Sequence, residues 1–136
     1  MHYKDVIDTI EIKLYSLTGD NALSGFIVYL FHTLICGIPL LYMVLGEVNY
    51  IFFACVFLWF FIFRLHFYFK GCILVKAERH LWNSKDWLGP WMLLFRPLNY
   101  FLDTEISKET SEKIFIAYGV ILVLFIVNKI RNSFKN

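Results

Sequence analysis

Three ionisable side chains, Arg64, His66 and Lys70, lie inside an apolar stretch at residues 50–75, and Glu78 follows shortly after it. Charges in such a stretch are expensive and are usually kept for a purpose. Arg64, His66, Lys70 and Glu78 are therefore the first candidates for chemistry: an anionic headgroup site, a proton-handling site or a quinone pocket. If one helix runs through the whole stretch, His66, Lys70, Leu74 and Glu78 share a stripe, because four residues make roughly one turn. Glu78 would then pair with one of the cations. The plainer alternative is that Arg64 and Lys70 snorkel to the headgroups, with one ion pair holding the connection. His32 lies in an earlier apolar stretch. With His66 it forms the only candidate pair of haem ligands on adjacent helices, although two histidines that hydrogen-bond or face partners explain the spacing equally simply.

Other chemistry is poorly represented. Glu78-Arg79-His80 sets an acid beside a base, but successive helical residues do not face each other. No Ser, Cys or Asp completes a nucleophilic triad at a suggestive spacing, and there is no HExxH and no glycine-rich phosphate loop. No catalytic residue is expected. Cys36, Cys55 and Cys72 form no CxxC pair, and their odd number argues against a disulfide framework or a zinc site. They read as packing thiols. Glu105, Glu109 and Glu112 fall on one helix face with Lys108 and Lys113 nearby, a solvated surface rather than a metal site. No metal and no cofactor is expected beyond the haem or quinone alternative.

The elements that must position these residues are set by hydrophobicity. Apolar residues make up 59% of the 136-residue chain, above the roughly 45–50% of ordinary soluble domains. The excess sits in three runs, at residues 24–46, 50–75 and 114–130. A run of about 20 apolar residues crosses a bilayer core as a helix. The chain is thus expected to be an all-α integral membrane protein with about three transmembrane helices. A net charge of +2 and the absence of a basic tract with stacking aromatics exclude a nucleic-acid partner. The bilayer and other membrane subunits are the expected partners. A polar stripe through a whole span, which a pore needs, is missing from the first and third runs.

Around the spans, residues 1–22 hold an amphipathic helix: Tyr3, Ile7, Ile10, Leu14 and Leu17 recur at steps of three and four. It would lie on the membrane surface or, given its acidic polar face, pack on a neighbouring subunit. Asp5, Asp8, Glu11 and Asp20 do not suit a targeting signal. Residues 23–131 form one membrane domain. Gly46 to Asn49 make a tight turn, so the first two spans form an antiparallel hairpin and bring His32 and His66 to the same side. Pro39 is a candidate kink. The connection at 76–113 is rich in tryptophan (Trp82, Trp87, Trp91), which favours the interface. Within it, 91–95 reads as an interfacial or shallow re-entrant helix ended by Arg96-Pro97, and Asp, Thr and Ser residues precede the third span as caps. Lys4, Lys13, Lys70, Lys76, Arg79, Lys85, Arg96, Lys108 and Lys113 flank one side; Lys129, Arg131 and Lys135 flank the other. The positive-inside rule puts the N-terminus and middle connection inside and the C-terminus outside.

Residues 66–81, His-Phe-Tyr-Phe-Lys-Gly-Cys-Ile-Leu-Val-Lys-Ala-Glu-Arg-His-Leu, resemble a motif of small multi-span membrane proteins from large DNA viruses of algae and protists. A bacterial membrane family of unknown function is more distantly similar. In both, a histidine late in a span precedes Cys-x-Leu-Thr-x-x-Glu-x-x-Leu. Cys72, Leu74, Glu78 and Leu81 match at that spacing, while Val75 replaces the Thr and Phe67 a common Trp. His32 and Pro97-Leu98-Asn99-Tyr100 also fit. The resemblance implies a membrane location, such as a virion or viral-factory membrane, and no activity. Abundant phenylalanine and absent glutamine fit an AT-rich viral, protist or organelle genome, so an organelle inner membrane is the other candidate. The functional expectation is a non-enzymatic subunit or scaffold of a membrane assembly. A quinone- or haem-binding anchor subunit of a respiratory-type complex and a transport or channel component are the alternatives.

Overall fold

The computed structural model describes residues 3–103 and 107–135, and every regular element in them is helical. Three helices are long and apolar enough to cross a membrane: α2 (Asn21–Leu45), α3 (Tyr50–Tyr68) and α6 (Lys108–Ser133). At 1.5 Å per residue, the 25 residues of α2 reach about 37 Å, more than a bilayer core of about 30 Å. The shorter elements are α1 (Tyr3–Thr18), α4 (Ile73–Leu81), a single 3-10 turn (Gly89–Trp91) and α5 (Met92–Leu102).

Local chemistry starts the helices where the sequence implied. Asp20 accepts a hydrogen bond from the Ala22 N–H at 2.8 Å and caps α2. Asn49 accepts from the Ile51 and Phe52 N–H groups, and its amide donates to the Tyr42 hydroxyl at 2.8 Å, which fixes the α2–α3 hairpin. Ser107 caps α6 through the Thr110 N–H. Thr104, Glu105 and Ile106, and with them part of the acidic face and of the capping segment read from the sequence, lie outside the described residues. Glu109 instead pairs with Lys113 at 2.8 Å on an exposed turn of α6.

The second apolar run is not one helix. The span ends at Tyr68, where Lys70 takes φ +52° and Gly71 φ +121°. The Gly71 N–H returns to the His66 carbonyl at 2.8 Å and the Lys70 N–H to that of Phe67 at 3.3 Å. This is the double bond of a Schellman ending, with lysine in the left-handed position. The stripe of His66, Lys70, Leu74 and Glu78 expected on a continuous helix is therefore broken. The chain turns so that α4 lies antiparallel to the first half of α2: Cys72 sits by His32, and the Trp82 indole donates to the Ala22 carbonyl at 3.1 Å. A second expectation fails nearby. Arg96-Pro97 does not end its helix; α5 runs through to Leu102 with Pro97 inside it, despite the ladder bond the proline removes.

Packing divides the molecule into two ends. At one, Ile7 of α1, Val28 of α2, and Ala77 and Leu81 of α4 form a core, with Ile10 and Leu14 packed on it. The N-terminal helix thus packs Ile7, Ile10 and Leu14 on its own chain, while Leu17 is left exposed. At the other end Met43, Phe52, Trp59, Leu122 and Ile126 join α2, α3 and α6. Lys129 donates to the Met43 and Val44 carbonyls at 2.8 and 2.9 Å, tying the end of α6 to the end of α2. Outward faces of α3 and α6, including Phe57, Phe60, Ile121 and Leu124, stay exposed.

Candidate functional site

Few polar side chains are fully buried, and two of them meet. His32 of α2 is 6% exposed and Glu78 of α4 is 0% exposed. The His32 Nδ1 stands 2.9 Å from Glu78 Oε1. The other carboxylate oxygen accepts the Trp87 indole N–H at 2.5 Å. A buried carboxylate is stable only when paired and hydrogen-bonded, and here both oxygens are engaged. The opposite ring nitrogen, His32 Nε2, lies 3.4 Å from the Cys72 sulfur. Thiol, imidazole and carboxylate thus stand in line, the arrangement in which a base is oriented by a third group and faces a nucleophile.

Each member is placed by a local feature of the chain. Cys72 is the N-cap residue of α4; its side chain makes no cap hydrogen bond, but the Leu74 and Val75 N–H groups at the helix start favour a charged sulfur. Such N–H groups have no partner within a helix. Burial would push the Cys72 thiol up, but the hydrogen bond and charge of His32, with these N–H groups, outweigh it, so the thiol titrates below its ordinary range. Trp87 is held by its neighbours: its ring centroid lies 4.9 Å from that of Trp82 and 5.8 Å from that of Tyr29. The Arg79 Nε–H donates to the Trp87 carbonyl. Gly89, at φ +73°, closes the site from the far side; a Cβ there would lie 2.6 Å from Val75 Cγ2 and 3.4 Å from His32 Cε1.

The site opens on a cavity of about 550 Å³ between α2, α3, α4 and the start of α6. Its wall is mostly aliphatic and aromatic, and its polar members include His32, Cys72, Lys76 and Arg79. Lys76 donates to the Phe69 carbonyl at 2.7 Å and so closes the end of α3. The half-buried Arg79 guanidinium has no carboxylate within ion-pair distance among the described residues. Burial draws its pKa below the ordinary value.

The residues singled out from the sequence are only partly brought together. Glu78 bonds His32 and Trp87, not Arg64 or Lys70, which are both exposed. The reason is the Schellman turn, which carries Glu78 away from the α3 axis. His66 lines the same cavity as His32 but stacks on Phe115, with ring centroids 4.2 Å apart. His32 has both nitrogens engaged, so binding a haem iron would break a bond to Glu78 or Cys72. Among the described residues no group of three or more His, Cys, Asp or Glu side chains is arranged to hold a metal ion. The expectation that no cysteine stands in a triad is corrected: Cys72 meets a base contributed by another helix, and spacing along the chain cannot reveal that. Of the motif residues, Cys72 and Glu78 converge on His32, Leu81 fills the α1–α2–α4 core and Leu74 packs against it. Trp87 was legible only as an interfacial ring, and nothing in its spacing marks it as the donor to Glu78. His80 faces away and pairs with Glu11 of α1, so acid and base in Glu78-Arg79-His80 point apart.

No protein-family model, curated protein or solved structure matches this chain.

Proposed function

We propose that this chain is a multi-pass membrane protein that takes an anionic amphiphile from the surrounding bilayer into the cavity beside Cys72, with Arg79 at the headgroup. The observation that carries the reading is the half-buried Arg79, without a carboxylate within ion-pair distance among the described residues, on the wall of a mostly apolar cavity whose other charged lining residues are Lys70, Lys76 and Glu112. A partly desolvated cation with no carboxylate in direct contact keeps donors for an anion, although Glu78, Asp86 and Glu112 act on it from farther away, and the aliphatic and aromatic wall suits an acyl chain. The cationic side chains near this end of the bundle, Arg64, Lys70, Lys76 and Arg79, support its place at the inner membrane face, with the C-terminus outside.

Binding of oleate to the full chain in nanodiscs, read by native mass spectrometry, tests this. One oleate should be retained in preference to a neutral diacylglycerol. A hydrogen bond to a charged group contributes about 1.5–3 kcal/mol, so Arg79→Leu should weaken binding roughly tenfold to a hundredfold. Arg79→Lys should restore much of it, and Arg131→Leu at the opposite end should change nothing. Equal retention of the neutral lipid, or an unchanged affinity in Arg79→Leu, would sink the proposal.

A subunit or scaffold role in a larger assembly is a second reading, favoured by α6. That helix buries little beyond Gly119, Leu122 and Ile126, and leaves a long apolar face uncovered by this chain. Native mass spectrometry of the protein released from its own membrane would return defined partner subunits. A lone chain carrying only lipid would remove this reading.

A further inference from the structure

A tie between α2 and α4 needs only His32, Glu78 and Trp87. With those three the buried carboxylate has a donor for each oxygen. The tie does not need Cys72, yet Cys72 stands on the outer nitrogen of His32, at the N-terminus of α4, and on the wall of the cavity. A hydrophobic packing thiol would be indifferent to these three placements. Cys36 also lines the cavity and also acts on His32 from the next turn of α2, but it sits inside that helix; Cys55 packs on the aromatic core, and neither stands at a helix N-terminus.

We propose that Cys72 is the nucleophile of an acyl-transfer centre that accepts a long-chain acyl group from an acyl thioester, with His32 as its base and Glu78 as the residue that orients His32. This rests on the cavity being an amphiphile site, and specifies what the amphiphile is for. Glu78 on Nδ1 holds Nε2 toward the sulfur, the orientation in which His32 can take the thiol proton. The Cys72 thiol gives its proton to His32 Nε2, and the thiolate adds to the donor's carbonyl carbon. Collapse of the tetrahedral species breaks the donor's carbon–sulfur bond. The leaving thiolate takes the proton back from His32. The products are S-acyl-Cys72 and the free donor thiol, with no change in oxidation state. The acyl chain occupies the apolar part of the cavity, and Arg79 meets the anionic part of the donor.

The test is incubation of the full chain in nanodiscs with palmitoyl-coenzyme A bearing a terminal alkyne, followed by click labelling and intact mass. One acyl group should be added, removable by hydroxylamine, and lost in Cys72→Ser but retained in Cys36→Ser and Cys55→Ser. General-base help is worth roughly a hundredfold or more in rate. His32→Gln should lose that factor and should also lose the pH profile of the native chain. In the native chain the rate should rise with pH and level off at a lower pH than acylation of a free thiol such as glutathione, because lowering the thiol pKa fills the thiolate earlier. Oleate binding is measured on the same variants to show that they are folded. Label spread equally over the three cysteines, or an unchanged rate in His32→Gln, would overturn the proposal. No label with oleate still bound would overturn it and leave the amphiphile site standing; loss of oleate binding in the native chain would remove both.

Discussion

At one end of the bundle, α4 delivers a carboxylate, a thiol and, through the following loop, an indole to His32. At the other end α2, α3 and α6 meet through Met43, Phe52, Trp59, Leu122 and Ile126. The two spanning histidines mark the contrast. Both line one cavity, but His32 is held at both nitrogens, whereas His66 lies flat on Phe115. The Trp59 indole N–H, buried in the aromatic core, finds no acceptor among the described residues. The Trp87 indole N–H bonds a buried carboxylate. Shape alone satisfies the apolar end, whereas the polar end requires each partner to be present. Matched substitutions at the two ends should therefore have unequal effects.

Matched histidine replacements should give the largest difference. His32→Leu strands Glu78 in the interior, and removing one partner of a buried pair costs about 3–5 kcal/mol. His66→Leu removes an aromatic contact worth about 0.5–1.5 kcal/mol and returns apolar area in its place. Unfolding in detergent, followed by near-ultraviolet circular dichroism, should rank the two accordingly. The double variant His32→Leu/Glu78→Leu should regain much of the loss, since two apolar groups of similar size need no partner. If His32→Leu is as mild as His66→Leu, the polar network is not what joins α4 to α2.

The sequence reveals these two ends unequally, for a physical reason. The spans, the hairpin turn at Asn49, the amphipathic first helix and the Ser107 cap are all local: hydrophobic run length and capping chemistry act within a few residues. The identity of the candidate site is not local. His32 and Glu78 lie on separate helices, and their meeting depends on how the chain turns at Lys70 and Gly71. Gly71 interrupts the second run, but the apolarity on both sides of it favours one long helix. The spacing of Cys72 and Glu78 carries a resemblance but no sign that both face His32. What the sequence placed on one stripe, the turn divides between an exposed rim and a buried pair.

A smaller but still clear difference should come from adding one methyl group. In Gly89→Ala the new Cβ would lie 2.6 Å from Val75 Cγ2, at a backbone φ of +73° that disfavours side chains. Overpacking costs about 1–3 kcal/mol, and the left-handed conformation adds about 1–2 kcal/mol. Gly37→Ala, in the exposed interior of α2, meets nothing within 4 Å. There alanine is the better helix former by roughly 0.5–1 kcal/mol. Thermal unfolding should fall for the first and hold or rise for the second. Gly89→Ala should also slow alkylation of Cys72, because the methyl group presses on His32. An unaffected rate would mean that the Gly89 turn yields without moving the site.

The smallest contrast is also the most direct, because the same change is made at both ends. Trp87→Phe takes the donor from one oxygen of Glu78, and a hydrogen bond to a charged group contributes about 1.5–3 kcal/mol. Trp59→Phe removes ring area from the aromatic core but also an indole N–H that is buried without an acceptor, and relief of such a group is worth about 1–3 kcal/mol. The two terms offset, so Trp59→Phe should stay within about 1 kcal/mol of the native chain. Equal losses at both positions would mean that ring volume, rather than the bond to Glu78, decides the stability of the polar end. Unequal losses in the expected order would make Trp87 a member of the site that the sequence offered only as an interfacial ring. In that case the Trp87→Phe variant should also acylate Cys72 more slowly, since Glu78, freed of one bond, orients His32 less tightly.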